Sequence, residues 1–348
     1  MAFRASQTNG FSVMYGMFRS YRCFAFLAMM VMFIKITKGQ DPHAIGIESM
    51  KIWYNPALKT DKSPLVNVNY RKVNFPNLLA YNSKSVTLEL PLSSADELND
   101  DNIRFASLSV GINVDNAGNA VNSLMNASTA MLGFAYAMPL DYNNTYVAIG
   151  LQANCSFNKI ENDQVIPYLA KSDQAGALNW SLQMDPFRSG YNYKYFTVST
   201  GISFFHSGEK SQWYFGGSAR NFNHPYTEWD YANRLPTAYG VQGGCTIVVN
   251  PVLQVSTFGN FYWQNGPVTM MHGQFLGISA FRAINVSDSS SFTVSLGLGM
   301  RPADGLIPTA SVRYRKSLFT VYYELNPPGL ASKNYYRKAL DFSYRLNF

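Results

Sequence analysis

Residues 341–348, DFSYRLNF, alternate without exception: Phe342, Tyr344, Leu346 and Phe348 fall on one side, Asp341, Ser343, Arg345 and Asn347 on the other. Period two is the mark of a strand with one apolar and one polar face. An aromatic residue closes the pattern, so this strand is expected to be the last element of the fold. The same alternation recurs upstream. In SFTVSLGLGM (291–300), Phe292, Val294, Leu296, Leu298 and Met300 oppose Thr293, Ser295, Gly297 and Gly299. YVAIGLQANCSF (146–157) and KSVTLELPL (84–92) repeat it.

The character of the second face decides between two all-β architectures. A soluble sandwich presents Lys and Glu to water, whereas here the polar face is mostly Gly, Ser, Thr, Asn and Gln, which suits a wet, enclosed lumen. Charged residues make up 14% of the chain and aromatics 15%, and the aromatics gather at segment ends, as in YKYF (193–196), QWYF (212–215), FYW (261–263) and VYY (321–323). Apolar outside, polar inside and aromatic girdles define a transmembrane barrel. The predicted fold class is therefore all-β, an outer-membrane β-barrel of about 14 antiparallel strands. Candidate strands cover 64–73, 84–92, 103–114, 128–138, 145–158, 194–205, 211–220, 237–249, 252–263, 268–282, 290–301, 306–315, 317–325 and 339–348.

The links between these segments alternate in length. MPLDYNNT, HSGEKS, VNPV, NVSDSS and RKS are short, while 158–192 and NPPGLASKNYYRK are long. Short periplasmic turns and longer extracellular loops are the usual arrangement, with acidic SSADELNDDN (93–102) as a longer periplasmic exception. The last strand must close against the first, because an open edge in lipid leaves backbone groups unpaired at several kcal/mol each.

The net charge of +7 is concentrated at the start of the chain. Arg4, Arg19, Arg22, Lys35 and Lys38 stand in residues 1–39 without an acid, leaving +2 for the rest. No basic stripe of the kind that binds nucleic acid follows. These basic residues flank the apolar run FAFLAMMVMFI (24–34), which is the length of a signal-peptide core and too short to span a bilayer. Residues 1–39 are accordingly expected to be a cleaved signal peptide, with cleavage before Gln40 and translation starting at Met14 or Met17. Residues 40–348 then form the barrel, with 40–62 as an N-terminal segment inside or under it.

Motifs for chemistry are scarce. His43, His206, His224 and His272 lack metal-ligand spacing, and His206 is read as a turn residue. Glu161, Asp163 and Asp173 share the longest loop and offer at most a cation site. Cys155 and Cys245 fall on the fifth and eighth candidate strands, which do not neighbour each other, so no disulfide is expected. Glycine pairs such as Gly216-Gly217 read as bends or tight lumen packing. No catalytic, cofactor or metal residue is assigned.

One family resemblance runs along the chain. Gln40, Asp41 and Pro42, then Tyr54, Asn55, Pro56 and Ala57, then Asn69, Tyr70 and Arg71 resemble the opening of the PorP/SprF family, and FAYAMPL (134–140) and VYYELNPPGL (321–330), with Tyr323, Leu325 and Asn326, resemble its later strands. The resemblance implies a non-enzymatic outer-membrane component of the type IX secretion system of the Bacteroidota. Such proteins dock or anchor secreted and surface proteins, contact the periplasmic lipoprotein and peptidoglycan-linked parts of the machinery, and support gliding motility in gliding species. Separately, the terminal Phe342, Tyr344, Leu346 and Phe348 resemble the signal by which barrel proteins are recognised for outer-membrane insertion. Trp180 and Tyr191 in the link 158–192, and Trp229 and Tyr231 in NFNHPYTEWDYANRLPT (221–237), are the candidate partner-binding aromatics. The alternative is an outer-membrane solute transport pore.

Overall fold

The computed structural model describes residues 47–58, 63–74, 80–92, 104–118, 123–140, 144–160, 191–208, 211–226, 234–248, 254–264, 270–287, 290–301, 305–325 and 338–348. Among these residues one short helix, α1 (Ile47–Tyr54), precedes fourteen strands: β1 (Leu65–Asn74), β2 (Tyr81–Pro91), β3 (Phe105–Gly118), β4 (Ser123–Pro139), β5 (Thr145–Ile160), β6 (Tyr191–Ser207), β7 (Ser211–Arg220), β8 (Ala238–Val248), β9 (Gln254–Gln264), β10 (Met270–Ser287), β11 (Ser290–Arg301), β12 (Gly305–Tyr314), β13 (Ser317–Leu325) and β14 (Lys338–Asn347). Each strand pairs with its sequence neighbours, and β14 pairs antiparallel with β1, so the sheet closes into a barrel.

Alternation sorts the side chains as the pattern demands. Ile112, Leu132, Ile149, Leu151, Leu296 and Leu298 are exposed on the outer wall, while Thr87, Ser107, Gln152, Ser199, Ser203 and Asn260 are buried inside. An apolar outer wall around a polar interior is stable only with lipid outside, and closure leaves no strand edge at the seam.

That seam is fastened on both faces. Phe342 stacks between Tyr70 and Phe319 at centroid distances of 6.4 and 6.2 Å, while Arg71 and Asp341 stand opposite each other across the β1–β14 ladder. Tyr344 and Phe348 are exposed on the outside, and Leu346 pairs with Val66.

Two expectations need correcting. Tyr191 is not a loop residue: β5 continues to Ile160, and Tyr191 pairs with it as the first rung of β6. The period-two pattern of YNYKYF persists there, but Asn192 and Lys194 lie on its outer face and give the segment the composition of a loop. His206 likewise belongs to β6 rather than to a turn. It pairs with Trp213, stacks on that indole at 5.9 Å, and its Nδ1 lies 3.2 Å from Thr145 Oγ1. The turn comes two residues later, where Gly208 N–H donates to Ser211 C=O. The remaining shifts are of a few residues at strand ends in both directions, of which the largest bring β4 back to Ser123 and carry β10 on to Ser287.

Candidate functional site: a lumen closed by its own chain

The helix α1 has eight residues, too few to be stable alone in water. It ends where Asn55 precedes Pro56, a context that disfavours further helix. Ser49, Met50, Lys51, Ile52 and Tyr54 are all buried, so every side of the helix meets protein. This is why its sequence shows no amphipathic stripe. The helix packs against β1 and β9, and the chain continues through Asn55, Pro56, Ala57 and Leu58, all buried. Residues 47–58 thus occupy the lumen as a plug.

Asn55 is the central clip. Its Nδ2 donates towards Gly217 C=O and Gln242 Oε1, each at 3.1 Å, and towards Ile202 C=O at 3.3 Å; its Oδ1 accepts from Ala57 N–H at 2.9 Å. Gln242 in turn donates to Asn260 Oδ1 and Ser218 Oγ at 3.2 and 3.4 Å. Ser203 Oγ donates to Ala57 C=O at 2.6 Å. At the other end of the plug, Met50 Sδ accepts from Ser85 Oγ at 3.1 Å and Asn69 Nδ2 at 3.3 Å.

Such close approach requires a wall without side chains. A Cβ at Gly150 would stand on the backbone of Pro56 and Ala57, and one at Gly201 or Gly216 on the Asn55 amide. Beneath Ala57, Phe105, Tyr146 and Phe205 form a buried aromatic cluster, with the Tyr146 and Phe205 rings stacked at 5.1 Å. Lys51 lies over the Tyr214 ring at 5.9 Å.

A charged clasp stands beside the Met50 end. Arg71 lies 3.8 Å from Glu324 and 3.7 Å from Asp341, with all three side chains buried. The separations exceed a direct hydrogen bond, so the pairing is Coulombic in a medium that screens little. A cavity of about 10 Å³, about the space of one water, adjoins it, lined by Met50, Asn69, Arg71, Ser83, Ser85 and Asp341.

The structure brings together Tyr54, Asn55, Pro56 and Ala57 on the plug with Asn69 and Arg71 on the facing wall. Tyr70 and Leu325 point outward, with Leu325 exposed and Tyr323 half-buried, so they stand apart from the lumen. Gln40, Asp41, Pro42, Asn326, Trp180, Trp229, Tyr231, Glu161, Asp163 and Asp173 lie outside the described residues, and His224 takes a positive φ of 45° in the link after β7. Cys155 is exposed on the outer wall, and neither it nor Cys245 is in a disulfide.

Sequence reading missed Met50, Gln242, Ser203, Glu324 and Asp341 as members of the site. Glu324 carried a signal, because a carboxylate on the inward face of an otherwise neutral strand needs a buried partner; Asp341 shares its face with Arg345 and carried less of one. Replacing Asn55 with Ala is expected to cost about 1–3 kcal/mol by leaving the Gln242 amide and the Gly217 carbonyl short of a partner. Urea unfolding in micelles, together with faster protease cleavage within 47–58, measures it.

A closed fourteen-strand barrel with an apolar outer wall and a polar, plugged interior defines the class: this is an outer-membrane β-barrel protein. Below that level, no protein-family model matches the chain, and no curated protein resembles it in sequence. Among solved structures the chain is similar to the CymD monoaromatic hydrocarbon channel, at 10% identity and a TM-score of 0.45 over 86% of this chain and 93% of that one. It is similar as well to the Pseudomonas putida toluene transporter TodX, at 8% identity and 0.46 over 86% and 93%. A Pseudomonas aeruginosa FadL homologue aligns at 10% identity and 0.47 over 84% and 92%.

Proposed function

We propose that this barrel is a non-enzymatic, non-conducting docking component of a type IX secretion system. It would hold a secreted or surface protein at its outer rim and meet periplasmic lipoprotein or peptidoglycan-linked parts below. The observation that carries the reading is the plug: residues 47–58 are held inside the barrel by the Asn55 clip, the glycine-lined wall and the aromatic floor. A barrel sealed in this way offers its rims, rather than its bore, to partners. The type IX assignment rests on the PorP/SprF resemblance, and of its residues Asn55 and Ala57 on the plug and Asn69 on the wall take part in the bonds that join the two.

Deleting the gene and comparing surface-bound with released proteins tests this. Loss of one or a few proteins from the surface supports a dedicated docking barrel, and collapse of the whole secreted set supports a core component. An unchanged profile rejects both. Trp180→Ala with Trp229→Ala is expected to lower surface retention of that cargo several-fold without changing barrel abundance. Full retention would remove these aromatics as anchors.

The second reading is a solute pore gated by the plug. The cavity between Met50 and the β1–β2 wall favours it, because space for solute would begin where plug and wall already part. Toluene, the solute named for TodX, is a suitable probe. Its faster uptake into liposomes carrying the intact barrel than into empty ones would replace docking by transport.

A further inference from the structure

The β6 strand rises far above its neighbour. Pairing with β5 holds from His206 to Tyr191, but pairing with β7 stops at Thr200–Ala219. Residues 191–199 therefore project about 30 Å along the strand direction beyond that ladder, at about 3.3 Å per residue. The described chain after β7, as far as Tyr226, covers the lower part of the step. Phe222 N–H donates to Val198 C=O, and the Asn223 side chain completes a strand-like pair, accepting from Val198 N–H at 3.0 Å and donating to Phe196 C=O at 2.8 Å.

These bonds show which way the edge faces. Backbone groups alternate sides along a strand, so those of Asn192 and Lys194 point the same way as those of Phe196 and Val198. Among the described residues no strand pairs with them there. Among the described residues, the charged side chains around the edge are of one sign. Lys194 is exposed above the Phe157 ring at 5.6 Å, and Lys159 is exposed on the adjacent rung. No acid occurs among the described residues of 154–160, 191–198, 220–226 and 234–235.

We propose that the upper edge of β6, at Asn192 and Lys194, is a strand-addition site for an extended acidic segment of the docked protein. Main-chain hydrogen bonds supply the grip in this mode of recognition, and side chains supply the selectivity; here Lys194 selects carboxylates. The proposal rests on the docking reading and names where the partner is held.

The test uses the full-length barrel in detergent micelles and a fluorescent ten-residue peptide of alternating Glu and Val, followed by anisotropy. Binding is expected to weaken at least tenfold when Lys replaces Glu in the peptide, and at least tenfold when alternate backbone amides are N-methylated. Lys194→Pro, which removes one edge N–H at a position where an edge strand tolerates proline, is expected to do the same. Lys194→Glu keeps the backbone and is expected to reverse the preference towards the Lys peptide. Equal binding of the N-methylated peptide, or no effect of Lys194→Glu, overturns the proposal. Binding that appears only after residues 162–189 are deleted overturns it too, making the chain's own loop the occupant. Normal surface retention in Lys194→Glu cells, where the gene deletion loses cargo, rejects the edge while leaving docking intact.

Discussion

Arg71→Ala is expected to be the most damaging single substitution outside the strand backbone, lowering stability by about 3–5 kcal/mol. The guanidinium stands between Glu324 and Asp341, both buried. Its removal leaves two carboxylates inside the barrel without their cation. Because Arg71 belongs to β1, Asp341 to β14 and Glu324 to β13, the damage falls on closure. The variant is expected to lose the compact, heat-modifiable band on unboiled gels and to unfold at lower urea. Neutralising the whole clasp, as Arg71→Met with Glu324→Gln and Asp341→Asn, is expected to recover most of the loss, since unpaired charge is the costly element. If the triple variant is no better than Arg71→Ala, the clasp acts by shape and not by charge.

The clasp also marks the boundary of what sequence could disclose. Strand number and order were legible because lipid and lumen impose opposite chemistry on successive residues, a constraint that local pattern reports directly. In β11, Leu296 and Leu298 are exposed to the outside and Ser295 is buried within, as SFTVSLGLGM announces. Strand ends were less legible where strands leave the apolar belt, because the outer face then becomes polar and reads as loop, as at Asn192. Partnerships across the lumen were not legible at all. Asn55 meets Gly217 and Gln242 from more than 160 positions away, and no periodicity records that. The resemblance singled out Asn55 and Arg71 as residues without stating what they touch; in this barrel Asn55 forms the clip and Arg71 the clasp.

Expelling the plug is the second large effect, and it separates the sealed barrel from the open one. Val at both Gly150 and Gly201 would place methyl groups where the Pro56–Ala57 backbone and the Asn55 amide now lie, and a backbone cannot swing aside as a side chain does. The Asn55 bonds and the Ser203–Ala57 bond are forfeited together. The fourteen ladders do not depend on the plug, so the double variant is expected to assemble as a barrel and to pass from electrical silence to stable single-channel steps in planar bilayers. Gly217→Ala is the matched control: its added carbon meets only the Gly240 carbonyl, at 3.8 Å, and silence should persist. If the intact protein already conducts at the level of the double variant, the plug does not seal the bore and the docking reading loses the observation that carries it. Should the double variant stay silent although protease now cuts within 47–58, another part of the chain closes the lumen and the plug serves only to brace the wall.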